Sequence, residues 1–133
     1  TFRPLGDRTS LPACEQIAAE NDATPRGRFD LLAWNGDSIA GWAFLANLTS
    51  EQPYLGIVVA EGWQGKGVGK SMLGRLLAWG RDHAVPKVYL MVVTDNQRAI
   101  DLYTSHGFAT YDEEFDELDQ LPYYHMVVDL AAG

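Results

Sequence analysis

Cysteine is nearly absent from this sequence, because Cys14 is the only one in 133 residues. A single thiol cannot form an internal disulfide, and three scattered histidines add no cluster with metal-ligand spacing. Long apolar runs are missing too, since none reaches the roughly eighteen residues of a membrane-spanning helix. The first ten residues lack the charged and then apolar pattern of a signal peptide. We therefore expect a cytoplasmic protein without a metal site or a membrane partner.

Basic residues are scarce: ten Lys and Arg stand against eighteen Asp and Glu, and the net charge is −8. This balance argues against broad nucleic-acid binding, which needs a basic surface to neutralise phosphates. Residues 64–81 nevertheless hold four basic residues and no acid, whereas six of the eight residues in 112–119 are acidic. The first stretch suits a small anion and the second a cation. Alternatively, the acidic run is a solvated loop that only aids solubility.

The order of predicted elements indicates a single α/β domain, residues 1–133, with a mixed sheet around one core. We predict a short strand in residues 1–5 and a helix over 10–21, where Ser10 can cap and Pro12 sits in the first turn. The rest of the pattern predicts a hairpin over 29–48 turning at Asn35-Gly36, buried strands at 54–60 and 87–94, helices starting near Val68 and Asn96, and two closing strands around an acidic loop.

Residues 63–71, WQGKGVGKS, have the composition of a phosphate-binding turn that opens a helix. Glycines let the backbone approach a ligand closely, and the free N–H groups at the helix start attract an anion. A pyrophosphate fits such a turn without a metal ion. Lys66 and Lys70 would add positive charge, and Ser71 would add a hydroxyl donor.

Two alternatives to this interpretation remain. A nucleoside-triphosphate loop requires Gly-x-x-x-x-Gly-Lys-Ser/Thr, which would place a glycine at position 64, where this sequence has Gln64. Asp95 would also have to serve as the magnesium ligand. The second alternative is a glycine-rich turn that merely starts a helix, although the strand before it and the lysines within it favour a binding role.

Two segments resemble conserved blocks of the GCN5-related N-acetyltransferases, the GNAT family. Residues 55–77, LGIVVAEGWQGKGVGKSMLGRLL, resemble the acetyl-CoA motif of that family. Residues 92–108 resemble its Asn-x-x-Ala-x-x-x-Tyr-x-x-x-Gly-Phe block, with matches at Asn96, Ala99, Tyr103, Gly107 and Phe108. The two blocks occur in the family's order, and the resemblance extends over roughly residues 28 to 130.

The resemblance implies an acyl-CoA N-acyltransferase fold, with a central mixed, splayed β-sheet flanked by helices. Strands 54–60 and 87–94 would be the splayed pair, and the pantetheine arm of acetyl-CoA would lie in the gap between them. Residues implied to bind acetyl-CoA (CoA) are Ile57, Val58, Val59, Gln64, Gly65, Lys66, Gly67, Val68, Gly69, Lys70, Ser71, Asn96, Ala99 and Tyr103.

The implied reaction is direct acetyl transfer from the thioester to a primary amine, through a tetrahedral intermediate. A backbone N–H near Val58 would stabilise the oxyanion, and Tyr103 would donate a proton to the departing thiolate. Alternatively, Tyr103 is a core residue of an amphipathic helix. Asn96 would cap its helix, hold the cofactor, or do both. A non-catalytic acyl-CoA-binding or sensor module on the same fold remains the alternative function.

The general base is the weakest part of the resemblance. Glu51 lies just outside the strand where some members carry a glutamate, and Met91 fills the other usual position. Strand alternation makes His125 a candidate base, because it shares a face with Tyr123. A packed histidine, or a water chain to Glu51, is equally compatible with the sequence.

The acceptor is predicted to be a cationic amine, because the acidic run precedes the last strand, where acceptors of the family often enter. Asp116 and Glu117 are the predicted acceptor-binding residues, and an amino-acid or peptide amine, a polyamine or an aminoglycoside would fit. Many relatives form homodimers through their last strands, and the aromatic residues of 122–128 permit this here.

Overall fold

The computed structural model describes residues 2–4, 16–19 and 27–131. The described chain forms two helices, α1 Val68–Asp82 and α2 Gln97–Ser105, and eight strands: β1 Phe2–Pro4, β2 Gln16–Ala19, β3 Phe29–Asn35, β4 Ser38–Ala46, β5 Tyr54–Val59, β6 Lys87–Val93, β7 Ala109–Asp116 and β8 Leu121–Asp129. All eight strands belong to one mixed sheet in the order β1-β2-β3-β4-β5-β6-β8-β7. Neither helix is long and apolar enough to cross a membrane.

The predicted helix over 10–21 is wrong in its described part, where Gln16–Ala19 form strand β2. This strand pairs antiparallel with β3, from Gln16 opposite Trp34 to Ala19 opposite Leu31. Local signals for a helix give way here to ladder hydrogen bonds along the open edge of β3, because tertiary context overrides a weak propensity. The rest of the predicted helix lies outside the described residues. The predicted first strand is confirmed as β1, which runs parallel to β2.

The predicted hairpin is confirmed as β3 and β4, but its two-residue turn is Gly36-Asp37, one residue later than predicted, because Asn35 still pairs with Ser38. The next predicted elements follow as β5, α1, β6 and α2. Helix α1 buries one apolar stripe against β3, β4 and β5, and the stripe recurs at helical spacing. Its buried apolar members are Val68, Met72, Leu73, Leu76 and Leu77.

The two central strands β5 and β6 separate almost at once. They run parallel and share one residue pair, Tyr54 opposite Tyr89. The Tyr89 N–H also donates to the Pro53 carbonyl at 2.8 Å. The outer edge of β5 is fully paired with β4, and the outer edge of β6 with β8. The facing edges of β5 and β6 therefore open into a gap, which confirms the predicted splay.

The two predicted closing strands are confirmed as β7 and β8, and β7 takes in most of the acidic run, so that only the end of the run lies in the turn between them. Residues 109–116 form β7, the edge strand, which pairs antiparallel with β8 across a bulge between Thr110 and Asp112. The side chains of this strand are exposed, apart from the partly exposed Asp116 at its end. Consecutive carboxylates are tolerated here because both faces meet solvent, and they discourage the open edge from pairing with another chain.

Strand β5 depends on close packing at Gly56. A Cβ there would overlap the ring of Phe44, which is held beneath the Arg28 guanidinium at 4.4 Å and beside Trp42. We expect Gly56→Ala to lower the free energy of unfolding by about 1–3 kcal/mol. Gly74→Ala is the matched control, because a Cβ there meets nothing within 4 Å and alanine stabilises a helix by about 0.5–1 kcal/mol. Urea denaturation of both variants measures the two shifts. A Gly56→Ala midpoint equal to that of the unmodified protein would show that the Phe44 ring moves aside without cost.

Candidate active site

A cavity of about 580 Å³ fills the gap between β5 and β6. Its walls come from both strands, the turn before α1, the first turn of α1, helix α2 and one residue of β8. Beyond Tyr54 and Tyr89 the facing edges of these strands make no ladder with each other, although both lie within residues 27–131. Backbone groups that lack ladder partners are expected to bond something else. An extended ligand with amide groups would satisfy them.

One end of this cavity is the start of α1. Gly67 caps the helix in the left-handed conformation, with φ +87° and ψ 3°, and makes no side-chain cap. The first intrahelical bond runs from the Ser71 N–H to the Gly67 carbonyl at 3.0 Å. The preceding N–H groups of the first turn are therefore available to a ligand, and the helix dipole favours an anion there. No acidic residue lies in this first turn.

Positive charge gathers at the glycine turn. Lys70 and Arg98 both line the cavity. A Cβ at Gly65 would lie 3.6 Å from Arg98 Nη1, so the guanidinium of α2 reaches over the turn. Gln64 pins the turn to the end of β5, since its Nε2 donates to the Val59 carbonyl at 3.3 Å. The arrangement places two cationic side chains beside a glycine-rich turn, and this combination suits an anion.

Tyr103 of α2 lines the same cavity and is only 8% exposed. Burial, with a smaller contribution from nearby Tyr54, raises the pKa of Tyr103 to about 12. The phenol is therefore protonated at neutral pH and can donate a proton. Asn96, at the start of the same helix, accepts a hydrogen bond from the Ala99 N–H at 3.2 Å. Asn96 and Ala99 both line the cavity, so this helix cap lies at the cavity wall.

The open face near β8 carries two hydrogen-bonded pairs. The Tyr123 hydroxyl donates to Asp119 Oδ2 at 2.6 Å, and Tyr123 lines the cavity. His125 Nε2 lies 2.7 Å from Glu114 Oε1, but His125 is not part of the cavity wall. In the part of the chain that the structure describes, no carboxylate and no histidine lines the cavity. No cluster of such residues there could hold a metal ion.

Comparison with known proteins identifies the architecture. The model of the Acetyltransferase (GNAT) family matches residues 5–108, more than half of the chain. This chain belongs to the GNAT family. Solved structures agree: a GNAT acetyltransferase from Streptococcus pneumoniae gives a TM-score of 0.70 at 25% identity, with 79% of this chain and 68% of that one covered. The ribosomal-protein-S18-alanine N-acetyltransferase of Escherichia coli gives 0.70 at 21% identity, with 78% and 70% covered. The predicted fold is confirmed.

Several curated relatives of this GNAT domain are named acetyltransferases. A mycothiol acetyltransferase from Nocardiopsis dassonvillei is 40% identical over 73 residues, which are 52% of this chain and 22% of that protein. The N-alpha-acetyltransferase RimI of Mycobacterium tuberculosis is 36% identical over 90 residues, which are 65% of this chain and 54% of that protein. The matched region spans between about a fifth and about half of these relatives' length.

The GNAT cavity brings most of the predicted cofactor residues together. The predicted residues in its wall are Ile57, Val59, Gln64, Gly65, Gly67, Gly69, Lys70, Asn96, Ala99 and Tyr103. Outside the wall lie Val58, whose side chain is exposed, Val68, which is buried in the core, and Lys66 and Ser71. The Lys66 ammonium instead lies 5.2 Å from the Trp63 ring centre. Whether any of these residues binds the cofactor stays a prediction.

Sequence reasoning missed several members of the cavity wall. They are Trp63, Met91, Val92, Val93, Arg98, Leu102 and Tyr123. Arg98 lies inside the matched Asn-x-x-Ala block, so its charge beside a glycine turn was a usable signal. Met91 entered the sequence analysis only because it replaces a glutamate that some family members carry at this position. Tyr123 had no local signal, because only its register opposite Val93 of β6 brings it to the cavity.

The predicted acceptor residues lie where β7 ends and the turn into β8 begins, with Asp116 the last residue of the strand and Glu117 the first of the turn. Asp116 Oδ1 accepts hydrogen bonds from the N–H groups of Leu118 at 2.8 Å and Asp119 at 3.3 Å, so this carboxylate shapes the turn. The Glu117 side chain is exposed, and its backbone carbonyl accepts from Gln120 Nε2 at 2.6 Å. Acceptor binding by Asp116 and Glu117 stays a prediction, as does the role of His125 as base.

Proposed function

We propose that this chain is a single acetyltransferase domain that moves an acetyl group from acetyl-CoA to a primary amine. One observation carries the proposal: a single cavity joins an anion-binding helix start to a buried, protonated tyrosine, between strands with unpaired edges. The residues present fit the donor. Gly67, Lys70 and Arg98 suit the pyrophosphate, and the free edges of β5 and β6 suit the amides of the pantetheine arm.

Each group in the cavity has a matching task in the transfer. Acetyl-CoA supplies an acetyl thioester. The backbone N–H that would stabilise negative charge on the acetyl oxygen is that of Ile57 or Val59, the residues of β5 in the cavity wall. The predicted donor Val58 shares a strand edge with Ala60, whose N–H donates to the Ala40 carbonyl, so the Val58 N–H faces β4 instead of the gap. Tyr103 would give its proton to the sulfur as the C–S bond breaks. The amine attacks in its neutral form and must lose a proton during the reaction.

The acceptor is proposed to be a cationic small-molecule, amino-acid or peptide amine. The support is electrostatic: β7 and the turn after it present six carboxylates next to the cavity-lining Tyr123. Relatives and structural neighbours are named for mycothiol, for protein N-termini and for spermidine, so the fold accommodates several acceptor types. A reducing cytoplasm is the proposed setting, and the single cysteine of the sequence is compatible with it.

Release of free thiol from acetyl-CoA tests the proposal directly. The panel contains amino acids, polyamines, aminoglycosides and peptides with free N-termini, at matched concentration. We expect acetyl-dependent turnover with at least one cationic amine and none without an acceptor. Mass spectrometry of the product should show one added acetyl group on nitrogen. A protein that binds CoA by calorimetry but releases no thiol with any amine would contradict the transferase.

Neutralising the turn acids should weaken acceptor binding alone. We expect Asp116→Asn combined with Glu117→Gln to raise the KM of a cationic acceptor about 3- to 10-fold, because exposed charge pairs contribute about 0.2–1 kcal/mol each. The Kd for acetyl-CoA should stay the same. The control is Asp82→Asn with Asp101→Asn, which removes two exposed charges from the helices. An unchanged acceptor KM would leave these acids with a solubility role.

A non-catalytic acyl-CoA-binding module is the second candidate. It is favoured by one observation, the lack of any carboxylate or histidine on the cavity wall among the described residues. The retained, protonated Tyr103 favours catalysis instead. Turnover separates the two, because a binding module has measurable CoA affinity and a zero rate of thiol release.

Homodimer formation through the last strands also stays a prediction. Apolar side chains at this edge, Tyr111, Phe115, Leu118 and Leu121, are exposed. The carboxylates of β7 would repel each other if two copies paired along this edge. Sedimentation velocity at low and high salt distinguishes association through the apolar side chains from repulsion between the carboxylates.

A further inference from the structure

Four ionisable side chains line the cavity within the described residues: Lys70, Arg98, Tyr103 and Tyr123. Lys70 and Arg98 lie beside the glycine turn, where their task is to hold an anion. Tyr103 has the task of donating one. Tyr123 is therefore the remaining side chain of the wall that can receive the proton of an attacking amine, provided that it can pass its own proton onward.

Asp119 provides the onward acceptor. Its Oδ2 accepts the Tyr123 hydroxyl proton at 2.6 Å, a short distance typical of a charge-assisted bond. The turn that carries Asp119 is fixed on both sides, because Asp116 accepts the Asp119 N–H and Gln120 bonds back to the Glu117 carbonyl. Asp119 itself is exposed, so a proton that it receives can leave to water.

The strand register fixes the other end of the pair. Tyr123 lies opposite Val93 of β6, which also lines the cavity. A carboxylate outside the cavity is thus connected to its interior through one phenol. Asp119 lies in the turn before β8, four residues from Tyr123, so local structure brings the two side chains together. The register of β8 on β6 then places Tyr123 at the cavity.

We propose that Tyr123 and Asp119 form the proton relay that deprotonates the acceptor amine. The inference rests on the proposed transferase function. As the new N–C bond forms, the amine proton passes to the Tyr123 oxygen, and the phenol proton passes to Asp119. The C–S bond breaks and sulfur takes the Tyr103 proton. Water then returns a proton from Asp119 to Tyr103, so the transfer is balanced and no other reactant is consumed. Tyr123 is the catalytic residue and Asp119 the positioning residue.

The charges around Tyr123 support this direction of transfer. Asp119 and Asp116 face it from the turn, Glu114 lies opposite on β7, His125 is two residues further along β8, and Tyr54 approaches from β5. Across the cavity are Lys70, Arg98 and Tyr103. The hydrogen bond to Asp119 is the main cause that raises the pKa of Tyr123 to about 12. Its phenol keeps its proton at rest, and a donor drawn toward a carboxylate has a more electron-rich oxygen.

His125 is the competing base. It shares a strand face with Tyr123, but its imidazole is paired with Glu114 and lies 6.0 Å from the Tyr111 ring, centre to centre. Because it is outside the cavity wall, His125 could act only through intervening groups. If Tyr123 receives the amine proton, substitution of Tyr123 or Asp119 lowers activity. If His125 receives it, only substitution of His125 does so.

The test compares Asp119→Asn, Tyr123→Phe and His125→Gln with the unmodified protein, using the best amine of the panel. We expect Asp119→Asn and Tyr123→Phe to lower kcat/KM about 100-fold near pH 7, the usual size of a base contribution. The deficit should shrink toward pH 10, because solvent then supplies neutral amine. The Kd for acetyl-CoA should not change. Asp82→Asn, which removes an exposed carboxylate of α1 outside the acidic run, is the charge-matched control.

Several outcomes overturn the relay. If Asp119→Asn keeps the rate and pH profile of the unmodified protein, the pair is only a turn contact. A loss confined to His125→Gln assigns the base to histidine. A deficit that is constant with pH and accompanied by a lower melting temperature indicates a structural role. Lack of turnover in the unmodified protein contradicts the transferase function itself, and that result is visible before any variant is made.

Discussion

Gly67→Val should abolish measurable acetyl-CoA binding while the chain remains folded. Gly67 caps α1 at φ +87°, a region in which a β-branched residue is strained. Relieving that strain moves the helix start, and the added methyl groups enter the cradle where backbone must meet the pyrophosphate. We expect the Kd to rise at least about 100-fold, or about 2.7 kcal/mol of binding free energy. Isothermal titration calorimetry with CoA measures the change.

Two further glycines of α1 sharpen this test. Gly74→Ala is the control, because its Cβ meets nothing within 4 Å and lies outside the cavity wall. Gly69→Ala is a finer variant: its Cβ would make ordinary contacts of 3.6 Å with Val59 and Leu102, so the fold should tolerate it. Its methyl group would nevertheless narrow the cavity at the helix start. Unchanged CoA affinity in Gly67→Val would show that the glycine turn is not the cradle.

The fold was predictable from sequence where local pattern and tertiary position agree. The hairpin of β3 and β4 and the succession from β5 to α2 follow from apolar periodicity, caps and turn residues. β2 was missed because its conformation is set by pairing with β3 rather than by its own residues. β7 was predicted as one of the two closing strands, and its pairing with β8 carries it to Asp116, inside the acidic run.

The site divides in the same way. Gly67 and Tyr103 lie in contiguous motifs, so their residue types and spacing carried the prediction. The splay between β5 and β6 was predicted from the family resemblance alone, because no residue type or pattern within either strand indicates it. The place of Tyr123 in the cavity wall was out of reach, because it depends on the register between β6 and β8. Sequence reasoning left His125 as one candidate base among open alternatives, because strand alternation gives its face but not its distance from the cavity.

Tyr103→Phe should lower kcat about 100-fold or more, the size expected when a general acid is lost, and should leave the Kd for CoA nearly unchanged. The substitution keeps the ring, which packs edge-on against Phe108 at 5.7 Å, and removes only the hydroxyl. Thiol-release kinetics and calorimetry on the same preparation separate the two quantities. Tyr124→Phe is the matched control, because that tyrosine packs against the core and is not in the cavity wall.

The pH profile gives Tyr103 a second, independent signature. The proposed mechanism requires the protonated phenol, and burial raises the pKa of this group to about 12. A raised pKa extends the protonated form upward, so Tyr103 should cause no loss of kcat between pH 7 and pH 10. A decline centred near 10, absent from Tyr103→Phe, would mean that the tyrosine titrates as if exposed to water. If Tyr103→Phe instead keeps its full kcat, the thiolate departs without help from this residue. The buried hydroxyl would then serve binding, and the acid would have to be sought among the groups nearest the sulfur.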